Sequence, residues 1–270
     1  EAEAMEGEFN CYSLHCGGVV YYPNGIPEQD LLEGKTGKLI SQVKLDKRDI
    51  GEEGHFKIDI LSSRALAQLI EAFPKHQKLY LDKPPFTPAM EHLFATGNNL
   101  GLTLAESPLI RLEFKLQKPK SVDDVAACLS LIRPAARQSG GELIYDDDVI
   151  QILHQEIGCS LAEADGYRRQ LAKKDEKAIK ELKKRLGSKK FDKLKEKLGS
   201  VSLYGFCKAH AMSYAQLVCW LAWCKIEYPV SFWRGSLNNC HSNYKPWVHL
   251  WEAQQAGVNP FSSDLIKNDR

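Results

Sequence analysis

Asp59 lies in His55-Phe56-Lys57-Ile58-Asp59-Ile60-Leu61. Its period of two predicts a strand with His55, Lys57, Asp59 and Leu61 on one face and Phe56, Ile58 and Ile60 on the other. A carboxylate so placed either ligates a metal or pairs, as a strand-end group, with Lys57 or Arg64. The second concentration of chemistry is basic. Residues 168–197 hold fourteen Lys or Arg against five Asp or Glu, a net of +9, so the remainder of the chain is −8 although the whole is only +1. A field of that sign suits phosphates. The competing reading is a solvated Lys/Glu helix pair, because the acids interleave at helical spacing. Arg169 and Lys173, four apart, share one helix face. Lys208 and His210 fall at the start of a helix, where anions bind well. Aromatic residues are sparse in and near the run (Tyr167, Phe191, Tyr204), so nucleic-acid binding there would be phosphate-dominated, salt-sensitive and weakly sequence-specific.

Other reactive residues point to less. Cys11, His15 and Cys16 match no common zinc spacing. Eight scattered cysteines without a Cys-x-x-Cys pair read as mostly buried thiols of a reducing compartment. Cys219 and Cys224, with Trp220 and Trp223, read as core, and Trp233, Trp247 and Trp251 as core or groove anchors. There is no Gly-x-Ser-x-Gly, and Ser213, His210 and Asp165 would form a nucleophilic set only through tertiary folding.

The elements that must position these groups are mostly helical. The chain has 270 residues and 30.4 kDa, 43% hydrophobic and 26% charged, enough for one large domain or two small ones. Ala211 to Cys224, the longest mostly apolar run at 14 residues, falls short of the roughly 20 that span a bilayer. Strands are predicted at 17–22, 39–45 and 55–61, and helices at 64–73, 108–116, 122–131, 146–157, 161–173, 177–186, 191–198, 209–227 and 247–256. Residues 74–88, with four prolines, read as a loop. Glu1-Ala2-Glu3-Ala4 looks like the remnant of a yeast secretion leader, and residues 1–9 are set aside as a vector-derived tail. The native protein is expected in the cytoplasm.

Five strings, in order, resemble the bacterial C-family DNA polymerases, the α subunit of DNA polymerase III. They are His15-Cys16-Gly17-Gly18-Val19-Val20, then Gln42 to Leu61 with Lys57-Ile58-Asp59-Ile60-Leu61, then Glu106-Ser107-Pro108 with Ile132-Arg133-Pro134. Tyr145-Asp146-Asp147-Asp148-Val149 follows, running into Asp165, Arg168-Arg169 and Lys173-Lys174, and the last is Tyr204-Gly205-Phe206-Cys207-Lys208-Ala209-His210. The resemblance implies an α+β, mostly helical fold: a partial palm over 10–105 and helical fingers over 106–270. It implies that Asp59 is one of three palm carboxylates that hold Mg²⁺. It implies that Lys57, Arg64, Arg168, Arg169, Lys173, Lys174, Lys208 and His210 meet nucleotide or DNA.

The departures matter as much. The family's other two aspartates, on a Pro-Asp-x-Asp string, are not found, and one carboxylate cannot hold a two-metal centre. Asp146, Asp147 and Asp148 are no substitute, since the family has other acids there on a helix. The expected function is therefore a nucleic-acid- and nucleotide-binding fragment, incomplete for nucleotidyl transfer, with weak Mg²⁺ binding. A second chain would supply the missing palm half. The alternative is a metal-dependent or nucleophilic hydrolase on a repurposed scaffold.

Overall fold

The computed structural model of the chain describes residues 17–32, 41–74, 78–133, 136, 145–198, 206–239 and 243–261. The chain divides into two compact units, 1–63 and 64–270. The division precedes the helix at 64, whereas the sequence placed the change of organisation near 105.

In the first unit, β1 (Gly18–Tyr21) and β2 (Phe56–Asp59) form a two-stranded antiparallel ribbon pairing Gly18 with Asp59 and Tyr21 with Phe56. Gly17 is required at its end: a Cβ there would lie 2.0 Å from the Ile60 carbonyl oxygen, whose own amide donates to the Gly17 carbonyl at 2.7 Å. Helix α1 (Lys47–Glu52) is started by Asp46, whose carboxylate accepts from the Arg48 and Asp49 amides, while Asp49 returns a bond to the Asp46 amide. The expected strand at 39–45 is not formed where it is described: only Val43 bridges, to Leu31.

The ribbon's apolar side faces outward. Val19 opposes Ile58 and Tyr21 opposes Phe56, and all four are exposed, Phe56 to 64%. The sequence pattern placed Phe56, Ile58 and Ile60 on a common face correctly, but no described element covers that face.

The second unit is helical: α2 (Arg64–Ala72), α3 (Pro88–Thr96), α4 (Pro108–Gln117), α5 (Val122–Leu131), α6 (Asp146–Ile157), α7 (Leu161–Ala172), α8 (Glu176–Leu186), α9 (Ser188–Leu198), α10 (Lys208–Glu227), α11 (Pro229–Asn238) and α12 (Pro246–Gln255). The α+β, mostly helical class is as expected. Helix α3 begins on the last proline of the 74–88 stretch and was not expected. Pro88 is not a breaker but its first residue, with the Thr87 hydroxyl accepting from the Met90 amide. Ser107, Ser121 and Ser160 cap α4, α5 and α7 in the same way.

Two cores hold this unit. In the larger, α10 carries apolar residues all round, among them Ala211, Ala215, Val218, Cys219 and Leu221, and is surrounded by α2, α3, α5 and α11. Helices α2 and α11 touch through backbone, since a Cβ on Gly235 would sit 2.4 Å from the Gln68 carbonyl oxygen. Several buried polar groups here are partnered: Gln68 Nε2 donates to the Gly101 carbonyl at 2.8 Å, and His249 Nε2 lies 2.9 Å from Glu106 Oε2, whereas Trp233 Nε1 and Asn99 Oδ1 find no partner among the described residues. Lys225 Nζ donates to the carbonyls of Asn98 and Leu100 and to Asn98 Oδ1. Cys128, Cys219 and Cys224 are free and buried, and burial pushes the Cys128 and Cys224 thiols up to about 12. Trp233 is core as anticipated, but Trp247 and Trp251 stand 66% and 52% exposed on α12. The smaller core joins α6 to α9 through Val149, Leu153, Ile157, Leu182, Phe191 and Leu194.

Candidate nucleic-acid interface

The starts of α6 and α10 are laid side by side by a parallel bridge between Tyr145 and Phe206, with the Asp146 amide donating to the Phe206 carbonyl at 3.2 Å. That contact brings residues distant in the chain to one place. Asp147 Oδ2 accepts from the Lys208 amide at 2.8 Å, giving the first turn of α10 a carboxylate partner. Asp146 Oδ2 accepts from Arg168 Nη1 at 3.1 Å, and Asp148 Oδ2 from the Tyr145 amide at 2.8 Å. The three consecutive aspartates thus serve as an electrostatic hub, a role that their spacing did not reveal.

Arg168 is largely committed to this hub. Its Nε and Nη2 also reach Asp165 Oδ1 at 2.9 and 2.8 Å, and its side chain is only 20% exposed. Arg169, 69% exposed, contacts the other Asp165 oxygen at 2.7 Å. Burial tends to raise the Asp165 carboxyl, but hydrogen bonds and charge from Arg168 and then Arg169 outweigh it and hold the group below its usual range. Lys173 and Lys174 are exposed just past α7, Lys174 in the left-handed region at φ 55°. Lys208 is exposed with its ammonium 5.7 Å from the Tyr145 ring centroid. His210, also exposed, lies against Tyr214 at 4.0 Å and Phe206 at 5.1 Å. The Arg133 guanidinium lies 4.8 Å from the Phe206 ring centroid. The fold therefore gathers Arg168, Lys208 and His210 around one junction, with Arg169, Lys173 and Lys174 on the adjoining end of α7.

Helices α8 and α9 extend the positive surface. Lys183, Lys184 and Arg185 are exposed in the last turn of α8. A shallow depression of about 420 Å³ at the α8–α9 turn is lined by Lys189, Lys190 and Lys193. Among the described residues, the single ion pair within this helix pair is Lys180–Glu176, at 3.9 Å and with both side chains over 75% exposed. Interleaved acids therefore do not neutralise the lysines. Lys190 is the anchored exception: its ammonium donates to the Glu156 carbonyl at 2.8 Å and ties α9 to α6.

The remaining candidates lie elsewhere. In the first unit, Asp59 Oδ1 is 2.8 Å from Lys57 Nζ, and the Asp59 side chain is 47% exposed. Among the described residues it joins no group of three metal-ligating side chains. Among the described residues, one carboxylate carrying an ammonium does not by itself make a two-metal centre. Arg64 is exposed at the start of α2. Ser213 Oγ donates to the Ala209 carbonyl at 3.0 Å, and Asp165 is taken by the two arginines. Cys11, His15, Cys16, Tyr204 and Gly205 lie outside the described residues.

No protein-family model matches the chain. Individual proteins do. The chain is similar to the DNA polymerase III subunit alpha of Aquifex aeolicus, 25% identical over 98% of this chain and 27% of that protein. It is 26% identical to that of Bacillus subtilis over 99% of this chain and 28% of the relative, and 29% identical to that of Thermotoga maritima over 82% and 29%. The similarity runs along almost the whole chain, yet the chain spans little more than a quarter of the length of these relatives.

Proposed function

We propose that this chain, a relative of about a quarter of the DNA polymerase III α subunit, is a nucleic-acid- and nucleotide-binding module corresponding to the distal palm and fingers of such an enzyme. One observation carries the reading: among the described residues the cations of α8 and α9 face solvent with one long ion pair inside that helix pair, and Arg169, Lys173 and Lys174 at the end of α7 are exposed beside them, Arg169 while contacting Asp165. Unneutralised cations on a rigid helical surface bind phosphate by releasing counterions, without base recognition. Arg169, Lys173 and Lys174 meet phosphates directly, with Lys208 and His210 at the neighbouring helix start. Arg168 positions α7 against α6 through Asp165 and Asp146.

The chemistry of nucleotidyl transfer rests on two divalent ions, Mg²⁺ in polymerases of this kind. Asp59, ion-paired to Lys57, would contribute one carboxylate to such a centre. The outward apolar face of the ribbon, Val19, Tyr21, Phe56 and Ile58, is where the rest of a palm sheet would be covered or continued. A two-stranded ribbon is marginal alone. The completing segment lies on this or another polypeptide.

Anisotropy of fluorescent primer-template DNA at low salt tests the proposal. Wild-type protein binds, and the Arg169→Ala/Lys173→Ala double variant binds at least about tenfold more weakly, as expected for two lost phosphate contacts. Absence of binding by the wild type, or equal binding by the variant, overturns it.

A further inference from the structure

Outside the polymerase-like surface, the first unit brings Asp30, Glu53 and His55 together. Asp30 ends the 3₁₀ turn Glu28–Asp30 and is held by its carbonyl, which accepts from the Lys44 amide at 2.8 Å. Glu53 closes α1, and the His55 amide donates to the Ile50 carbonyl at 2.9 Å just before β2. One ligand atom from each residue lies within 4.8 Å of the others, and His55 Nε2 is 3.2 Å from Glu53 Oε2.

A second observation singles this cluster out from ordinary surface acids. Asp30 is 94% buried, and the oxygen of Tyr22, which feels both Asp30 and Glu53, is sealed from solvent without a hydrogen bond of ordinary length. The Tyr22 ring lies 4.3 Å from the His55 ring, so hydroxyl, imidazole and buried carboxylate converge on one spot. Burying a carboxylate is costly unless it is compensated, and beside Asp30 and the Tyr22 hydroxyl against it stands a second carboxylate, Glu53, that adds negative charge to the same place. Two anions and one imidazole call for a cation.

We propose that Asp30, Glu53 and His55 form a binding site for a first-row divalent transition ion of the zinc class. Imidazole nitrogen is a good ligand for such ions and a poor one for Mg²⁺ or Ca²⁺, which take oxygen. Ligands bonded at about 2.1 Å lie at most about 4.2 Å apart, close to the 4.8 Å within which the three ligand atoms already lie. The ion clips the 3₁₀ turn to the entrance of β2 and so fastens a unit whose sheet, among the described residues, has two strands. The site shares no residue with the phosphate-binding surface and is independent of that reading.

The test is Zn²⁺ titration of the full chain against a chromogenic chelator, with His55→Gln and Glu53→Gln. The expected result is one site whose affinity falls at least about tenfold in each variant. Co²⁺ substitution should give absorption bands without thiolate charge transfer, which separates this site from binding by cysteines. Circular dichroism of the metal-free proteins checks folding, and if His55→Gln misfolds, the more exposed Glu53→Gln carries the comparison. Unchanged zinc affinity in the folded variants, or a thiolate charge-transfer band, overturns the proposal.

Discussion

Adjacent arginines on α7 should fail in different ways when removed. Arg168 makes three charged contacts, to Asp146 and to Asp165, with four-fifths of its side chain buried. Charge-assisted hydrogen bonds contribute about 1.5–3 kcal/mol each when unscreened, and the partly open site lowers that. Arg168→Ala should therefore cost about 2 kcal/mol, mostly by freeing α6 from α7. In a unit of this size that corresponds to about 4–8 °C in Tm. Arg169, 69% exposed, should cost well under 1 kcal/mol, but its removal should reduce the slope of log affinity against log salt by about 0.7–0.9. Thermal melts by circular dichroism and anisotropy over a salt series measure both variants. If Arg168→Ala melts with the wild type while Arg169→Ala leaves the slope intact, the division of labour read from the structure is wrong.

Gly235→Ala should destabilise the helical unit by about 1–3 kcal/mol in chemical denaturation, because its Cβ would meet the Gln68 carbonyl oxygen at 2.4 Å. Lys225→Met should cost about 2 kcal/mol by leaving the Asn98 and Leu100 carbonyls without their donor. Burial brings the Lys225 ammonium down to about 8, whereas an unfolded lysine keeps its proton to about 10.5. Between those values the unfolded chain binds more protons, so wild-type stability should rise with pH relative to Lys225→Met, read as Tm from pH 8 to 10.5. Mass-mapped thiol labelling should modify Cys207 readily and spare Cys128, Cys219 and Cys224, which are buried with raised thiols.

The helices were legible where local chemistry agreed with tertiary demand. Asp146–Ile157 has acids in its first turn, an apolar stripe and Gly158 in the left-handed conformation at its end, and sequence and structure agree on both bounds. Helix α3 was missed because proline was read as a breaker without its Thr87 cap. The isolated bridge at Val43 was read as a strand because alternation alone does not supply a neighbour to pair with. Trp247 and Trp251 were read as core or groove anchors, and their exposure on α12 removes the core alternative. The basic run was plain from charge counts. Its junction with Lys208 and His210 was not, because the Tyr145–Phe206 bridge that creates it leaves no local pattern. The Asp30–Glu53–His55 cluster was equally invisible, since its members come from three elements with no ligand spacing.

The most direct test of the central claim is the salt dependence of wild-type binding to primer-template DNA, measured from about 50 to 200 mM monovalent salt. An exposed cationic surface over α7 to α9 that engages three or more phosphates predicts a log–log slope at least as steep as about −2.7. A flat dependence, or no binding at the lowest salt, would contradict the account and leave the similarity to DNA polymerase III α as a statement of ancestry alone.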